Sequence, residues 1–145
     1  VYEVRPGTGT AFPAAATVSG NVIENGLYRI TVSGAGAILS LIDKSRGNQE
    51  FAATIGGRAM NDLGGGSGTL AVENAGPVSV TLRADATGPL AHTSRITLVG
   101  GSPRIEVRND ITQNFADVWA WTFSFNLAPP MVWHNLPLSA ATPTG

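Results

Sequence analysis

The chain contains no cysteine and only one lysine, Lys44, among its 145 residues. Without cysteine it can form neither disulfide bonds nor thiolate metal sites, and it has no cysteine nucleophile. Its net charge is -1, and its arginines are scattered along the sequence instead of forming a basic patch. Because binding to nucleic acid depends on clustered positive charge, we predict no nucleic-acid partner.

The sequence also lacks any run of about 18 apolar residues, the length that a membrane-spanning helix needs. Its N-terminus begins with Val1, has no signal-peptide pattern and is typical of a strand already under way. We therefore expect a soluble segment of a longer polypeptide, with no membrane partner. The lack of cysteine fits a bacterial cytoplasmic protein and a secreted one equally, so the compartment stays open.

Eighteen glycines and nine prolines separate short segments rich in Val, Ile, Thr and Leu. This pattern is typical of short strands joined by turns and predicts an all-β fold, an antiparallel β-sandwich. The predicted strands cover residues 27–32, 37–42, 57–61, 69–73, 78–84, 93–99, 104–109 and 111–127. We assign residues 1–138 to one sandwich domain and residues 139–145, which have linker composition, to a tail.

Turn residues mark the ends of the clearest strands. Residues 33–36 read SGAG and residues 43–48 read DKSRGN, so both stretches predict turns, with Gly47 expected at positive φ. The run GGGSG at residues 64–68 is predicted to be a flexible loop, because glycine weakens a strand interior. No helical pattern follows it, which argues against a phosphate cradle.

Residues 115–127 contain the densest aromatic stretch of the sequence. Strict alternation places five large rings on one face of a strand: Phe115, Trp119, Trp121, Phe123 and Phe125. The main interpretation is that this face is core, in which case replacing Phe123 with Ala costs about 3–5 kcal/mol. The alternative is an exposed platform on which sugar rings stack, with Trp119, Trp121 and Trp133 as candidate carbohydrate-binding residues and His134 beside them.

Few residues are suited to chemistry. The two histidines, His92 and His134, are far apart in sequence, whereas a zinc site needs about three or four converging ligands, so we predict no metal and no cofactor in this chain. His92 is expected to be an exposed strand residue. Glu106, Arg108 and Asp110 alternate along one strand and are predicted to share a polar face instead of a cleft. The sequence therefore shows no catalytic signature.

Two neighbouring segments carry a family resemblance. Residues 22–32 read VIENGLYRITV and residues 36–47 read GAILSLIDKSRG. This strand, turn and returning strand resemble the opening of the C-terminal β-domain of glycoside hydrolase family 38, the α-mannosidases. The resemblance implies a galactose-mutarotase-like supersandwich, truncated or shortened here, beside a separate catalytic domain that holds zinc and the nucleophile. It implies no cofactor in this chain.

The resemblance and the residues together lead to three hypotheses. The first is a non-catalytic domain of a family-38-like α-mannosidase that acts as a scaffold or frames a mannoside or related glycan, with the catalytic domain as its partner. The second is an autonomous carbohydrate-binding module that uses exposed tryptophans. The third, a sugar epimerase, would need Glu106 to face His92 or His134. Exposed sheet edges would also allow a homodimer.

Overall fold

The computed structural model describes Gly7 and residues 16–127, 134–136 and 139–141. The described part is almost entirely β-structure, so the predicted all-β antiparallel sandwich is confirmed. The first five strands are β1 (Ala16–Ser19), β2 (Val22–Asn25), β3 (Tyr28–Val32), β4 (Ile38–Asp43) and β5 (Gln49–Glu50). The next four are β6 (Gly68–Ala75), β7 (Ser79–Ala86), β8 (His92–Val99) and β9 (Ile105–Ile111).

Strands β1 to β5 form one antiparallel sheet in sequence order, here called sheet I, and strands β6 to β9 form a second, sheet II. The two sheets pack face to face, with β1 and β2 over β6, β7 and β8. A separate hairpin joins β10 (His134–Leu136) to β11 (Ser139–Ala141). The boundary that the sequence placed after residue 138 therefore falls within this hairpin.

Alternation explains why β3 and β4 pair as they do. In β3 the side chains of Tyr28, Ile30 and Val32 point toward the core, while Arg29 and Thr31 point away, as the sequence predicted. Ser33 starts the following turn, because its carbonyl oxygen accepts from Gly36 N (3.0 Å) and its hydroxyl from Ala37 N (3.0 Å). After β4, Gly47 takes the expected left-handed conformation at φ 68°.

The core fills the space between the two sheets. Its most deeply buried apolar residues, none more than 1% exposed, are Ile23, Ile30, Val32 and Ile38 from sheet I and Val80, Leu82, Ile96 and Leu98 from sheet II. These are mostly β-branched and aliphatic side chains, which suit a pleated, buried surface. Among the described residues, the hydrophobic centre of the sandwich therefore contains none of the aromatic side chains that follow residue 111.

The outer face of sheet II, by contrast, is charged. It forms a lattice of ion pairs between four arginines and four acids, namely Arg83, Arg95, Arg104 and Arg108 with Glu73, Asp85, Glu106 and Asp110. The shared polar face predicted for Glu106, Arg108 and Asp110 is part of this lattice. Such exposed pairs add little stability individually, but they keep this face solvated.

The strand predicted over residues 111–127 is wrong. Strand β9 ends at Ile111, and within residues 112–127 only two isolated bridges occur, between Thr122 and Asp62 and between Phe125 and Ala52. The predicted aromatic core face is also wrong, since Phe123 is 51% exposed. The reason is that aliphatic residues of β2, β3, β7 and β8 already fill the core, so residues 115–127 lie beside the core instead of within it.

Two smaller predictions also fail. Residues 57–61 form turns and isolated bridges instead of a strand. His92, expected to be exposed, is 3% exposed, because it lies on the inner face of β8.

The run at residues 64–67 is a loop as predicted, and Gly68 begins β6. In the part of the chain that the structure describes, no helix is long and apolar enough to cross a membrane.

Candidate functional site

Residues 115–126, here called the aromatic segment, run along the open side of sheet I. The segment is held to residues 50–62 by backbone hydrogen bonds: Asn61 N donates to Thr122 O (2.6 Å), Thr122 N to Asp62 O (3.0 Å), Ala53 N to Ser124 O (3.1 Å) and Asn126 N to Phe51 O (2.9 Å). These bonds use every second residue. Within residues 16–127, no hydrogen bond reaches the backbone of Phe123, so the other described strands leave this side of the segment unpaired.

Side chains reinforce the attachment. One terminal nitrogen of Arg58 donates to two carbonyl oxygens, that of Asp62 at 2.6 Å and that of Ala120 at 2.9 Å, and so ties the aromatic segment to the preceding loop. The hydroxyl of Thr122 bonds to the carbonyl oxygens of Ala59 (2.9 Å) and Asp62 (3.2 Å). The segment is therefore fixed in place, although it is not a regular strand.

The aromatic rings of this segment are exposed where the sequence predicted burial. Phe115 is 50% exposed, Trp119 38%, Phe123 51% and Phe125 50%. A ring in a protein core usually buries nearly all of its surface. Several half-exposed rings on one fixed segment form an apolar surface of the kind that marks a binding site.

The other predicted site residues have different environments. Trp121 is partly buried and meets His92 edge to face, with ring centroids 5.9 Å apart. The indole N–H of Trp121 is buried, and among the described residues it has no acceptor. Trp133 lies outside the described residues, and for His134 the structure gives only its place in β10. Of the four predicted carbohydrate contacts, the structure thus places Trp119 and Trp121 on one segment.

A buried polar network supports the aromatic segment from behind. The side-chain amide of Asn109 donates to Asn61 Oδ1 (2.6 Å), and Ser94 Oγ donates to Asn109 Oδ1 (2.6 Å). Asn61 Nδ2 in turn donates to the carbonyl oxygen of Gly36 (3.0 Å). Asn61 is 1% exposed and Ser94 is fully buried. Because buried polar groups need partners, this network joins β8 and β9 to the turn that precedes β4 and to the loop at residue 61.

Glu50 anchors the other end of the segment. Its carboxylate accepts from Leu41 N (2.7 Å), Ala52 N (2.8 Å) and the Ser40 hydroxyl, while its backbone carbonyl oxygen accepts from the side chain of Asn126 (3.0 Å). Burial alone would raise the pKa of this carboxyl, but the hydrogen bonds from Ser40, Leu41, Ala52 and Phe51 together outweigh burial and lower it. The ionised form is therefore the one that the fold stabilises.

This shift gives Glu50 a testable pH dependence. A carboxyl whose pKa is lower in the folded state stabilises the fold above its unfolded pKa, and that contribution is lost as the pH falls through the folded value. We expect the difference in unfolding free energy between the wild type and Glu50→Gln to shrink when urea unfolding is compared between about pH 7 and about pH 3. Glu106→Gln, on the charged outer face, is the matched control. An equal difference at both pH values would contradict this role of Glu50.

Catalytic arrangements proposed from sequence are not assembled here. His92 lies on the inner face of β8, whereas Glu106 lies on the outer face of β9, so the pairing of these two residues that an epimerase could use is contradicted. The alternative pairing of Glu106 with His134 stays a prediction. The ring nitrogens of His92 instead lie near the carbonyl oxygens of Leu90 (2.7 Å) and Ala35 (3.2 Å). Across the described residues, no group of three or more His, Asp or Glu side chains is placed to hold a metal ion.

Two of the depressions on the described surface contain residues discussed above, His92 in one and Phe125 in the other. The larger, about 600 Å³, is lined by Arg83, Asp85, His92 and Thr93 among others. The Thr93 hydroxyl and Arg83 both bond to Asp85 and lower its pKa, so these groups satisfy one another. The second, about 270 Å³, is lined by Tyr28, Asp43, Arg46, Phe51 and Phe125 among others.

Sequence reasoning missed the second depression. Tyr28 and Asp43 lie within the segments that carry the family resemblance, but only strand pairing places them opposite each other. Phe125 reaches them from a distant part of the chain.

Comparisons of the chain with protein-family models, with curated proteins and with solved structures gave no match. The function of the chain therefore has to be inferred from its residues and their geometry.

Proposed function

We propose that this chain is a non-catalytic β-sandwich domain of a larger, family-38-like α-mannosidase polypeptide, and that it contacts carbohydrate through the rings of its aromatic segment. The confirmed sandwich supports this proposal, as do the resembling segments, which form β2, β3 and β4 at the start of sheet I. The domain would act as a scaffold that frames the substrate, while chemistry takes place in the separate catalytic domain.

The observation that carries the proposal is the half-exposed aromatic row on a segment fixed by backbone hydrogen bonds. Trp119, Phe123 and Phe125 each leave a large apolar area in water, although the core is complete without them. A sugar ring has an apolar C–H face that stacks on an aromatic ring, and a rigid platform loses little entropy when it binds. Contact with a glycan would therefore remove from water the area that folding leaves exposed.

The arrangement of the acids supports a non-catalytic role. Glycoside hydrolysis usually needs two carboxylates facing each other across a cleft. Here Glu73, Asp85 and Asp110 are paired with arginines on the flat outer face of sheet II, and Glu50 is bound by backbone N–H groups. Each of these carboxylates already has a structural partner.

Tryptophan fluorescence tests the proposal directly. We expect a saturable change when the chain is titrated with α-linked manno-oligosaccharides, because Trp119 is 38% exposed and a stacked sugar would alter its surroundings. Trp119→Ala should remove most of the response, whereas Leu39→Ala, at another exposed apolar position, should leave it intact. A fluorescence that stays constant with mannosides and with every other sugar in a panel would reject carbohydrate contact.

The second candidate function is an autonomous carbohydrate-binding module. The exposure of Trp119 on an irregular stretch favours it, since binding modules present such rings on surface loops. Affinity electrophoresis of the isolated chain separates the two: an autonomous module is retarded by mannan or another polysaccharide in the gel. A domain that only frames substrate beside its catalytic partner migrates as in a plain gel, although it still responds to short mannosides.

A further inference from the structure

We infer that the smaller depression binds one neutral sugar ring, an inference that rests on the proposed function because it concerns the same class of ligand. This end depression, about 270 Å³, is lined by Tyr28, Asp43, Arg46, Phe51, Ile105 and Phe125. It lies outside the set of tryptophans and histidine that the sequence indicated. The inference adds a specific subsite, with defined polar contacts, to the flat aromatic platform.

Strand pairing fixes the walls of the end depression. Tyr28 is the first residue of β3 and lies directly opposite Asp43, the last residue of β4. Phe51 follows β5, and its carbonyl oxygen accepts from Asn126 N, which holds the neighbouring Phe125 in place. The site is therefore built mainly on sheet I and on the end of the aromatic segment, so its geometry is formed before a ligand arrives.

Asp43 supplies a buried acceptor. The side chain of Asp43 is only 10% exposed. Its Oδ1 accepts from the backbone N (2.9 Å) and the hydroxyl (2.6 Å) of Ser45. Its Oδ2 faces only Arg46 Nε at 3.6 Å, beyond hydrogen-bond distance, within the part of the chain that the structure describes. Oδ2 is accessible from the depression, since it is not one of the fully buried side-chain atoms that lack a partner, so a ligand hydroxyl can reach it and donate a charge-assisted hydrogen bond.

Arg46 and Tyr28 supply the other polar groups. The Arg46 guanidinium is 68% exposed and lies 5.8 Å from the centre of the Phe51 ring, where it can donate to a ligand above the depression. For the hydroxyl of Tyr28, no hydrogen bond is found among the described residues. The end depression thus offers three polar groups. The Asp43 carboxylate accepts hydrogen bonds, the Arg46 guanidinium donates several, and the Tyr28 hydroxyl can donate or accept.

The apolar wall is aromatic. Phe125 is 50% exposed, and Phe51 and Ile105 are partly buried beside the core. A ring with an apolar face and polar edges matches this division, because its C–H face would meet Phe125 and its hydroxyls would meet Asp43 and Arg46. A purely apolar ligand would leave Asp43 Oδ2 buried without a partner.

Charge and size narrow the ligand further. Asp43 and Arg46 together are neutral, so they select neither an anion nor a cation. The volume is slightly below the range for drug-sized ligand sites, about 300–1,000 Å³, which suits one ring instead of a chain. In the larger depression, the bonds of Asp85 to Thr93 and Arg83 leave fewer groups for a ligand. A neutral pyranose is the class that fits the end depression.

Saturation-transfer NMR with methyl α-D-mannopyranoside tests the subsite on the whole chain. Wild type should transfer saturation to the sugar, and Phe125→Ala and Asp43→Asn should each weaken binding about tenfold. Asp43→Asn keeps an oxygen that can accept from Ser45, and Phe125 is half exposed, so both variants should fold. Circular dichroism confirms folding, and Arg46→Ala, at an exposed side chain of the depression outside the aromatic segment, should also weaken binding and decides if Asp43→Asn does not fold. Leu39→Ala, at an exposed apolar position outside both the end depression and the aromatic segment, should bind the monosaccharide as wild type does.

Each other outcome separates the subsite from the proposed function. Transfer that is lost in Trp119→Ala but kept in Phe125→Ala and Asp43→Asn overturns the subsite and retains carbohydrate contact through the platform. If wild type shows no transfer to a monosaccharide but its fluorescence responds to mannosides, the subsite alone is overturned. If wild type shows neither saturation transfer to the monosaccharide nor a fluorescence change with any sugar, the subsite and the proposed function are both overturned.

Discussion

Replacing Leu82 with Ala is expected to lower the free energy of unfolding by about 2–5 kcal/mol. Leu82 is fully buried at the centre of β7, where it meets core residues of both sheets. Truncating it removes the transfer free energy of the lost methyl groups and leaves a cavity that rigid strands on both sides cannot close. Urea unfolding, followed by circular dichroism, measures the change.

Phe123→Ala is the matched comparison for Leu82→Ala. Although Phe is the larger side chain, Phe123 is 51% exposed and should cost only about 1 kcal/mol or less. If instead the Phe123 variant lost as much stability as the Leu82 variant, the aromatic segment would have to be core in solution. The binding surface proposed for it would then be withdrawn.

Gly36→Ala is expected to lower the free energy of unfolding by about 2–5 kcal/mol, about as much as Leu82→Ala. Gly36 has φ +87°, a conformation that side chains disfavour. An added Cβ would lie 2.7 Å from Ser94 Oγ, closer still to Ser94 Cβ, and 3.3 Å from Ala84 Cβ. The carbonyl oxygen of Gly36 also accepts from Asn61, so a shift would disturb the buried network.

Gly20→Ala isolates the conformational part of this cost. Gly20 also has positive φ, +59°, but an added Cβ would meet nothing within 4 Å. We expect this variant to lose only about 1–2 kcal/mol, the cost of the left-handed conformation itself. Thermal unfolding of both variants gives the comparison. Equal losses would show that close packing of Gly36 on Ser94 contributes nothing.

The part of the fold that follows from local pattern could be predicted from the sequence. Strand β3 alternates clearly between apolar and polar residues, and the turn after β4 contains Gly47 where the chain needs positive φ. Neighbours in sequence determine both features, so short-range rules are sufficient. The same rules predicted β7, β8 and β9 to within a few residues.

Alternation could not show which faces are covered. For the aromatic segment it predicted a single buried face, but whether a ring is buried depends on what packs against it. The partner of the segment is the irregular stretch around Ala52 and Asp62, far away in sequence. In β8 both faces carry polar residues, so nothing local indicated that His92 points inward with Ile96.

The candidate site was predictable only in part. The aromatic stretch of the sequence indicated Trp119 as a candidate carbohydrate contact, and Trp119 is 38% exposed in the structure. The end depression joins Tyr28, Asp43 and Phe125, three residues from separate regions of the sequence, and only the register of β3 with β4 and the bridge at Ala52 brings them together. Contacts of this kind come from long-range pairing, which sequence pattern does not contain.

The charged lattice on the outer face of sheet II also limits how copies of the chain can associate. An apolar flank and a charged face elsewhere make the described surface two-sided, so the apolar flank is the side that would gain most from contact with another copy. Two copies joined by the same flank under two-fold symmetry would cover that flank on both. A closed pair would then be favoured over open-ended fibres, because a further copy would have to remove water from the paired charges that remain outside.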